Sequence, residues 1–279
     1  MKYLLAVSGG VDSVVMLDKM AKDKVHDELC VAHVSHGIRS DSEDDRRFVE
    51  GLAAKYGLEF VAISLKLGSD ANEELARTKR YEFLFSEAKK RDAIIMTAHH
   101  ADDLAATVAI NLYRGTGWRG LAVLARAGIE RPLLAMRKSE IYDYAIRNRL
   151  EYSEDSTNAN LAILRNGLRG QVFALGDQTI AKIGKLRNEQ VAIAWLIDQE
   201  TTRLNNSFAL RRYPYTVIEV PVAVELLRAQ LAAKTGMRPT RVETERLLLE
   251  IKTARPGALV KLSGGVGLRF SRDRFIVEH

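Results

Sequence analysis

Cysteine is nearly absent: 279 residues contain one, Cys30. A lone thiol cannot close an internal disulfide. Its setting in LCVAHV, an apolar run of strand character, points to a small buried core residue rather than a reactive nucleophile. A reducing, cytoplasmic setting is the expectation. No stretch approaches the roughly 18 uninterrupted apolar residues that a membrane-crossing helix needs. The apolar run at the start, MKYLLAV, is too short for the core of a signal peptide. The P-loop pattern G-x-x-x-x-G-K-[ST] is also missing. Internal repeats and low-complexity tracts are absent, so solenoids and disordered polar chains are excluded.

What remains is ordinary globular composition, 47% apolar and 28% charged, in a chain long enough for one large or two modest domains. The net charge of +6 is unevenly placed. Residues 1–199 carry 28 Lys+Arg against 28 Asp+Glu, whereas residues 200–279 carry 14 against 8. A basic segment beside a neutral one fits a polyanionic partner such as nucleic acid, and equally fits plain solubilising charge.

Four continuous apolar runs stand in the first hundred residues: YLLAV (3–7), LCVAHV (29–34), EFVAISL (59–65) and AIIMTA (93–98). Continuous rather than alternating runs suit a parallel sheet covered on both faces. Helical periodicity at 12–22, 43–56 and 72–91 separates them, which predicts a doubly wound α/β domain over residues 1–175. Residues 176–204 read as a linker helix, with Leu186, Ile193 and Ile197 on one face. A smaller α+β domain follows over 205–279: a strand-like RRYPYTVIEVP (211–221), helices at 222–233 and 240–252, and a terminal hairpin.

Ligands of such sheets bind beyond the C-terminal ends of the strands. Three of the four runs end there in polar residues: Ser8 to Ser13, His33 to Arg39, and Thr97 to Asp103. The first of these, Ser8-Gly9-Gly10-Val11-Asp12-Ser13, joins a strand to a helix. Glycines let successive backbone N–H groups face one anion, and the helix start adds its positive dipole end. Ser8 and Ser13 can donate to phosphate oxygens, and Asp12 can hold Mg²⁺. A plain glycine-rich turn is the alternative reading of two glycines alone.

The string SGGVDS resembles the PP-loop of the N-type ATP pyrophosphatases, which cut ATP between the α and β phosphates. Further segments, HVSHGIR (33–39), NEELARTKRYEFL (72–84), TAHHADDLAAT (97–107), YRGTGWRGLA (113–122), RPLLAMRKSEI (131–141) and EDSTNANLAILRNGLR (154–169), together resemble the tRNA(Ile)-lysidine synthetase family over essentially all of 1–170. The basic C-terminal part resembles that family's first C-terminal domain more loosely, and the chain is expected to be a short form.

The resemblance implies an adenine nucleotide alpha hydrolase-like fold. It also implies ATP and Mg²⁺ as substrate and cofactor, free L-lysine, and tRNA(Ile) with a CAU anticodon. In the implied reaction the C2 oxygen of the wobble cytidine is adenylated, and the lysine ε-amine then displaces AMP. It implies a catalytic set of Asp12, Asp103 and Arg165. ATP would be held by residues 8–13 with His33, His36, Arg39, His99 and Gly115. The amino acid would be held by Arg77 and Asp103, and tRNA by Arg80, Arg119 and Arg169, with Arg114 a further phosphate candidate. Asp102 supplies charge or caps a helix; Tyr81 and Trp118 stack on a base or pack in the core. Monomer and homodimer both stay open.

The chain departs from the family at one place. Where the family usually reads DDQAET, this sequence has Asp102-Asp103-Leu104-Ala105-Ala106-Thr107. On the resemblance, Ala106 removes one of two acids expected around the lysine ammonium. Either Glu73 or Glu74 compensates, or lysine binds weakly, or the amine differs. Restoring the acid by Ala106→Glu is then expected to tighten lysine binding. A PP-loop thiolase is disfavoured by the single buried cysteine, and an amidotransferase by the lack of a glutaminase cysteine. A tRNA-binding module with a decayed amine pocket is the non-enzymatic alternative.

Overall fold

The computed structural model describes residues 1–23, 28–35, 42–65, 73–153, 170–172, 174–208, 210–236, 239–262 and 265–278, with backbone alone for Ser42, Glu73 and 206–208. Two compact units result, Met1–Val191 and Ala192–His279. In the first, strands β1 (Lys2–Ala6), β2 (Glu28–Ser35), β3 (Glu59–Ser64), β4 (Ala93–Met96) and β5 (Ile129–Glu130) alternate with helices α1 (Val11–Lys22), α2 (Ser42–Lys55), α3 (Glu73–Arg91) and α4 (Ala101–Tyr113). Helix α5 (Lys138–Arg147) follows β5. The sheet is parallel, in the order β3-β2-β1-β4-β5.

The two-sided burial expected from the continuous apolar runs is present. Tyr3, Leu5 and Val7 pack on one face with Val15 and Leu17 of α1, Val49 and Ala53 of α2, and Ile141 and Ala145 of α5. Leu4 points to the other face, with Cys30, Ala32 and Ile95 of its neighbours and Tyr81, Leu84 and Ala88 of α3. Cys30 is therefore a core residue, and burial pushes its thiol up to about 11.

Asp18 fixes α1 in place. It is fully buried and accepts from Tyr56 Oη at 2.5 Å, Tyr144 Oη at 2.7 Å and Lys22 Nζ at 2.8 Å. Burial alone would raise its carboxyl; the bonds from Lys22, Tyr56 and Tyr144 outweigh that and hold it below the ordinary value. Through them the end of α2 and the middle of α5 are tied to α1.

Helix α6 spans Asp177–Phe208, and the division between the units falls within it. The second unit holds α7 (Val220–Thr235), α8 (Arg241–Thr253) and an antiparallel sheet of β6 (Leu259–Lys261), β7 (Gly267–Phe270) and β8 (Phe275–Glu278). Its core gathers Tyr215, Leu226, Leu227, Leu247, Ile251, Leu268, Phe270 and Phe275.

Residues 211–221 do not form the expected strand. Pro214 opens a helical turn at Pro214–Val217, Pro221 sits in the first turn of α7, and among the described residues a single bridge, Arg211 to Arg274, is the only pairing. Two prolines in eight residues remove two ladder donors and preset helical φ, which outweighs the β-prone Tyr, Val and Ile. The expected terminal hairpin is a three-stranded meander. No helix among the described residues is long and apolar enough to cross a membrane.

Candidate active site

The chain runs outward from β1 to β2 and β3, then crosses back to place β4 on the other side of β1. The strand order therefore reverses between β1 and β4, and in open α/β sheets the crevice for ligands lies beyond the strand ends at that point. Residues 8–13 and 97–103 flank that crevice.

The loop after β1 is shaped from within. Gly9 has φ +99°, a left-handed conformation that favours glycine. The Ser13 hydroxyl accepts from the N–H of Ser8 at 3.1 Å and of Gly9 at 3.2 Å, and donates to the Gly10 carbonyl at 2.9 Å. Ser13 thus holds the turn closed, whereas the exposed Ser8 hydroxyl lies 3.2 Å from it at the loop surface. The first α-helical bond here runs from Val14 N–H to the Gly10 carbonyl, so the N–H groups of Val11, Asp12 and Ser13 precede the helical ladder at its positive end. Ser153 N–H fastens the Gly9 carbonyl at 2.9 Å, and its hydroxyl donates to Asp45 at 3.0 Å. His33 lies buried beneath the loop with Nδ1 2.9 Å from the Val7 carbonyl. Burial lowers its imidazole's pKa. A loop held in this shape, ending at the positive end of α1, can receive an anion there.

The segment after β4 supplies two imidazoles and two carboxylates. His100 is the N-cap of α4, and its backbone N–H donates to Asp103 Oδ2 at 3.2 Å. Its ring lies between two acids, Nε2 3.3 Å from Asp103 and Nδ1 3.5 Å from Asp102. Asp103 keeps 20% exposure. Asp102 is 3% exposed and takes Arg137 Nε at 3.0 Å and the N–H of Lys138 at 2.7 Å. Asp102 is thus an anchor for the start of α5. It neither caps α4 nor offers charge to solvent. His99 Nδ1 meets Thr97 Oγ1 at 3.0 Å. Burial, aided by Arg131, Arg80 and Arg77 and opposed by Asp103, pushes the His99 imidazole down to about 4.

The loop and α5 meet directly. Lys138 Nζ lies 2.5 Å from Asp12 Oδ1. In the sequence Lys138 is one basic residue among many, and its partner is 126 positions away.

Beside this crevice lies a cluster of arginines. Arg77 and Arg80 each lie 5.5 Å from the Tyr81 ring centroid, and Arg126 lies 5.0 Å from it and 4.5 Å from that of Phe85. Tyr81 itself is buried, as a core residue. Arg131 and Arg187 both donate to the carbonyl of Leu124, at 2.8 and 2.6 Å, and Leu124 has φ +52°. Arg131 Nε is buried without a partner among the described residues. Desolvation lowers the pKa of both guanidiniums. Of this group the sequence points to Arg77 and Arg80 only. Arg119 stacks on Trp118 at 4.6 Å, and Gly115, at φ +67°, follows the exposed C-cap Arg114. His36, Arg39, Arg165 and Arg169 lie outside the described residues.

Ala106 lies in the apolar packing of α4. It is 5% exposed and packs with Ala101, Ala105, Val172 and Ile180, with Leu175 and Ile183 alongside. The neighbouring Leu104 is buried with Val108 and Val123.

A family model described as a PP-loop domain matches residues 1–175, which makes this an ATP-binding domain of the PP-loop class. Among solved structures, the U34-tRNA thiolase NcsA from Methanococcus maripaludis superposes with a TM-score of 0.58 at 20% identity, over 69% of this chain and 71% of that one, a likeness of fold. The tRNA(Ile)-lysidine synthase of Thermotoga maritima is 32% identical over 301 residues, covering 99% of this chain and 72% of that protein. Those of Haemophilus ducreyi and Enterococcus faecalis are 33% and 36% identical, over 88% and 67% of this chain and 60% and 44% of theirs. The chain belongs to the tRNA(Ile)-lysidine synthase family.

Proposed function

We propose that the chain converts the wobble cytidine of a CAU-anticodon tRNA(Ile) to lysidine, using ATP and free L-lysine. The observation that carries this reading is the juxtaposition at the β1/β4 crevice: an anion cradle at residues 8–13 on one side and the partly exposed carboxylate of Asp103 on the other. A nucleotide and a cationic amine need those two environments side by side.

In the first step the C2 oxygen of cytidine attacks the α-phosphorus, the Pα–O–Pβ bond breaks, and pyrophosphate leaves. The N–H groups of Val11, Asp12 and Ser13, at the start of α1, hold the phosphates as charge moves onto the leaving group. Asp12 presents a hard oxygen donor at the cradle, 32% exposed. Among the described residues no trio of acids or histidines gathers into a metal site. One carboxylate with phosphate oxygens suits Mg²⁺, which keeps few protein ligands. When bound, Mg²⁺ supplies charge neutralisation on the triphosphate. In the second step the lysine ε-amine attacks C2, the C2–O bond breaks, and AMP departs with the oxygen. Asp103 attracts the ammonium and Arg77 its carboxylate. His99, neutral at physiological pH, adds no positive charge to repel the amine. Arg165 completes the catalytic set on the family resemblance.

Arg80 and Arg126 beside Tyr81, with Arg119, Arg169 and the basic second unit, suit the phosphates of tRNA. The first test is the adenylation half-reaction. Pyrophosphate release is expected to require both ATP and CAU-anticodon tRNA. Release that ignores the RNA would point away from this reading, and RNA binding without any turnover would favour the binding-module alternative.

A further inference from the structure

We propose that Lys138 is a phosphate-binding residue of the adenylation step, a cationic arm that leaves Asp12 to hold the triphosphate and its departing pyrophosphate. The inference rests on the ATP-dependent reading above for its catalytic part and on the PP-loop class alone for its binding part.

Three observations carry it. First, the Lys138 ammonium stands 2.5 Å from the carboxylate of Asp12, in the first turn of α1 and beside the glycines of the cradle. A polyanion entering the cradle meets this cation at the loop. Second, the ammonium is delivered there by structure built for the purpose. The N–H of Lys138 is gripped by the buried Asp102 at 2.7 Å, and Asp102 also binds Arg137 at 3.0 Å. The N-cap is closed by Arg137 N–H donating to Glu140 at 2.6 Å. Asp102 starts the helix after β4, so the adjacent strand sets where the arm begins. Asp18 holds α1 against Tyr144 of α5 by a 2.7 Å bond. Loop and arm thus sit on two helices tied to each other.

Third, the ion pair is poised to exchange partners. Asp12 and Lys138 keep 32% and 20% side-chain exposure, so the pair is not sealed in the core. Nζ also lies 4.9 Å from the Tyr142 ring, a second contact on the arm's own helix. The part-buried pair is thus open to a ligand on one side, and a triphosphate offers the ammonium several anionic oxygens in place of one carboxylate. Release of Asp12 leaves that carboxylate available to a cation accompanying the phosphates. The exchange is one of ionic contacts: no covalent bond changes at Lys138, and no proton moves.

The test compares Lys138→Met, Lys138→Arg and Asp12→Asn, singly and with Lys138→Met added to Asp12→Asn. ATP affinity is read by equilibrium binding, and pyrophosphate release with tRNA gives kcat/KM for ATP. For Lys138→Met, ATP Kd is expected to rise about 10- to 100-fold, the loss of one charged hydrogen bond, with kcat/KM falling at least as far. Lys138→Arg should stay within a few-fold of the parent. Affinity for tRNA and the KM for lysine should not move. The double variant decides between roles. If Lys138 binds phosphate, Lys138→Met still weakens ATP in the Asp12→Asn background. If Lys138 merely neutralises Asp12, it costs nothing there, and the proposal fails. Unchanged ATP binding in the single variant also overturns it, as does a fall in Tm in both Lys138 variants with ATP binding intact. The binding arm uses protein and ATP alone, so loss of the lysidine reading would leave it interpretable.

Discussion

Replacing Ala106 by glutamate separates the geometry of the structure from the expectation raised by family resemblance. The resemblance makes Glu at this position a partner for the lysine ammonium, so restoring it should lower the KM for lysine. In the structure Ala106 is 5% exposed and surrounded by Ala101, Ala105, Val172, Leu175, Ile180 and Ile183. A longer side chain must displace these neighbours, at about 1–3 kcal/mol. A carboxylate taken into this apolar cluster adds desolvation, so the total reaches roughly 3–5 kcal/mol. At about 2–4 °C per kcal/mol for a unit of this size, Tm should fall by some 6–20 °C. Ala106→Gln, which adds the volume without the charge, should lose about 1–3 kcal/mol. Thermal melts followed by circular dichroism, with lysine KM measured below the transition, give both readouts. A variant that melts within a degree or two of the parent while binding lysine more tightly would show that position 106 faces the amine, and the packing argument would be wrong.

Three other outcomes are expected. Asp12→Ala should abolish tRNA-dependent pyrophosphate release and leave tRNA affinity almost unchanged, since it removes a ligand of the phosphate site and no RNA contact; full turnover would refute the assignment of residues 8–13. Arg126→Ala should weaken tRNA binding and reduce the slope of log affinity against log salt by about one unit for each phosphate the guanidinium neutralises; an equal slope would assign Arg126 to packing on Tyr81 and Phe85. His99, held at about 4 in the fold, resists a proton that the unfolded chain accepts near 6.5, so the parent should lose stability as pH falls from 6.5 to 4 and change little from this group above 6.5. The effect is about 2–3 kcal/mol, allowing for partial exposure. In His99→Asn the pH dependence of Tm across that window should flatten, and an identical profile would mean another group titrates there.

The parts legible in the sequence are those where local pattern and tertiary environment agree. The run YLLAV and the string SGGVDS together specify a strand, a glycine turn and a helix, because burial on both faces and the need for a left-handed residue each leave a local mark. The termini of β1 to β4 and α1 to α3 fall within one or two residues of the periodicity. The same reading fails at 211–221, where the apolar run suggests a strand and Pro214 and Pro221 forbid it. It misses β5, whose two residues carry no period, and α5, whose start lies in an arginine–lysine pair that resembles surface charge. Long-range partnership is the illegible part of the site. That Asp102 turns from the crevice to anchor Arg137 and Lys138, and that Lys138 reaches Asp12, depends on β4 and β1 being neighbours in the sheet. Ala106 shows the same limit: its motif position suggests a pocket residue, while the neighbours packed on it, Val172 and Ile180, come from a distant part of the chain.

The most direct measurement of the central claim is mass analysis of nucleosides from CAU-anticodon tRNA(Ile) after incubation with this protein, ATP and isotopically labelled lysine. The account predicts a single new nucleoside, cytidine with its C2 oxygen replaced by the labelled lysine through the ε-nitrogen, formed only when ATP is present and matched by equal amounts of AMP and pyrophosphate. Unmodified cytidine throughout, or label incorporated without pyrophosphate release, would contradict it.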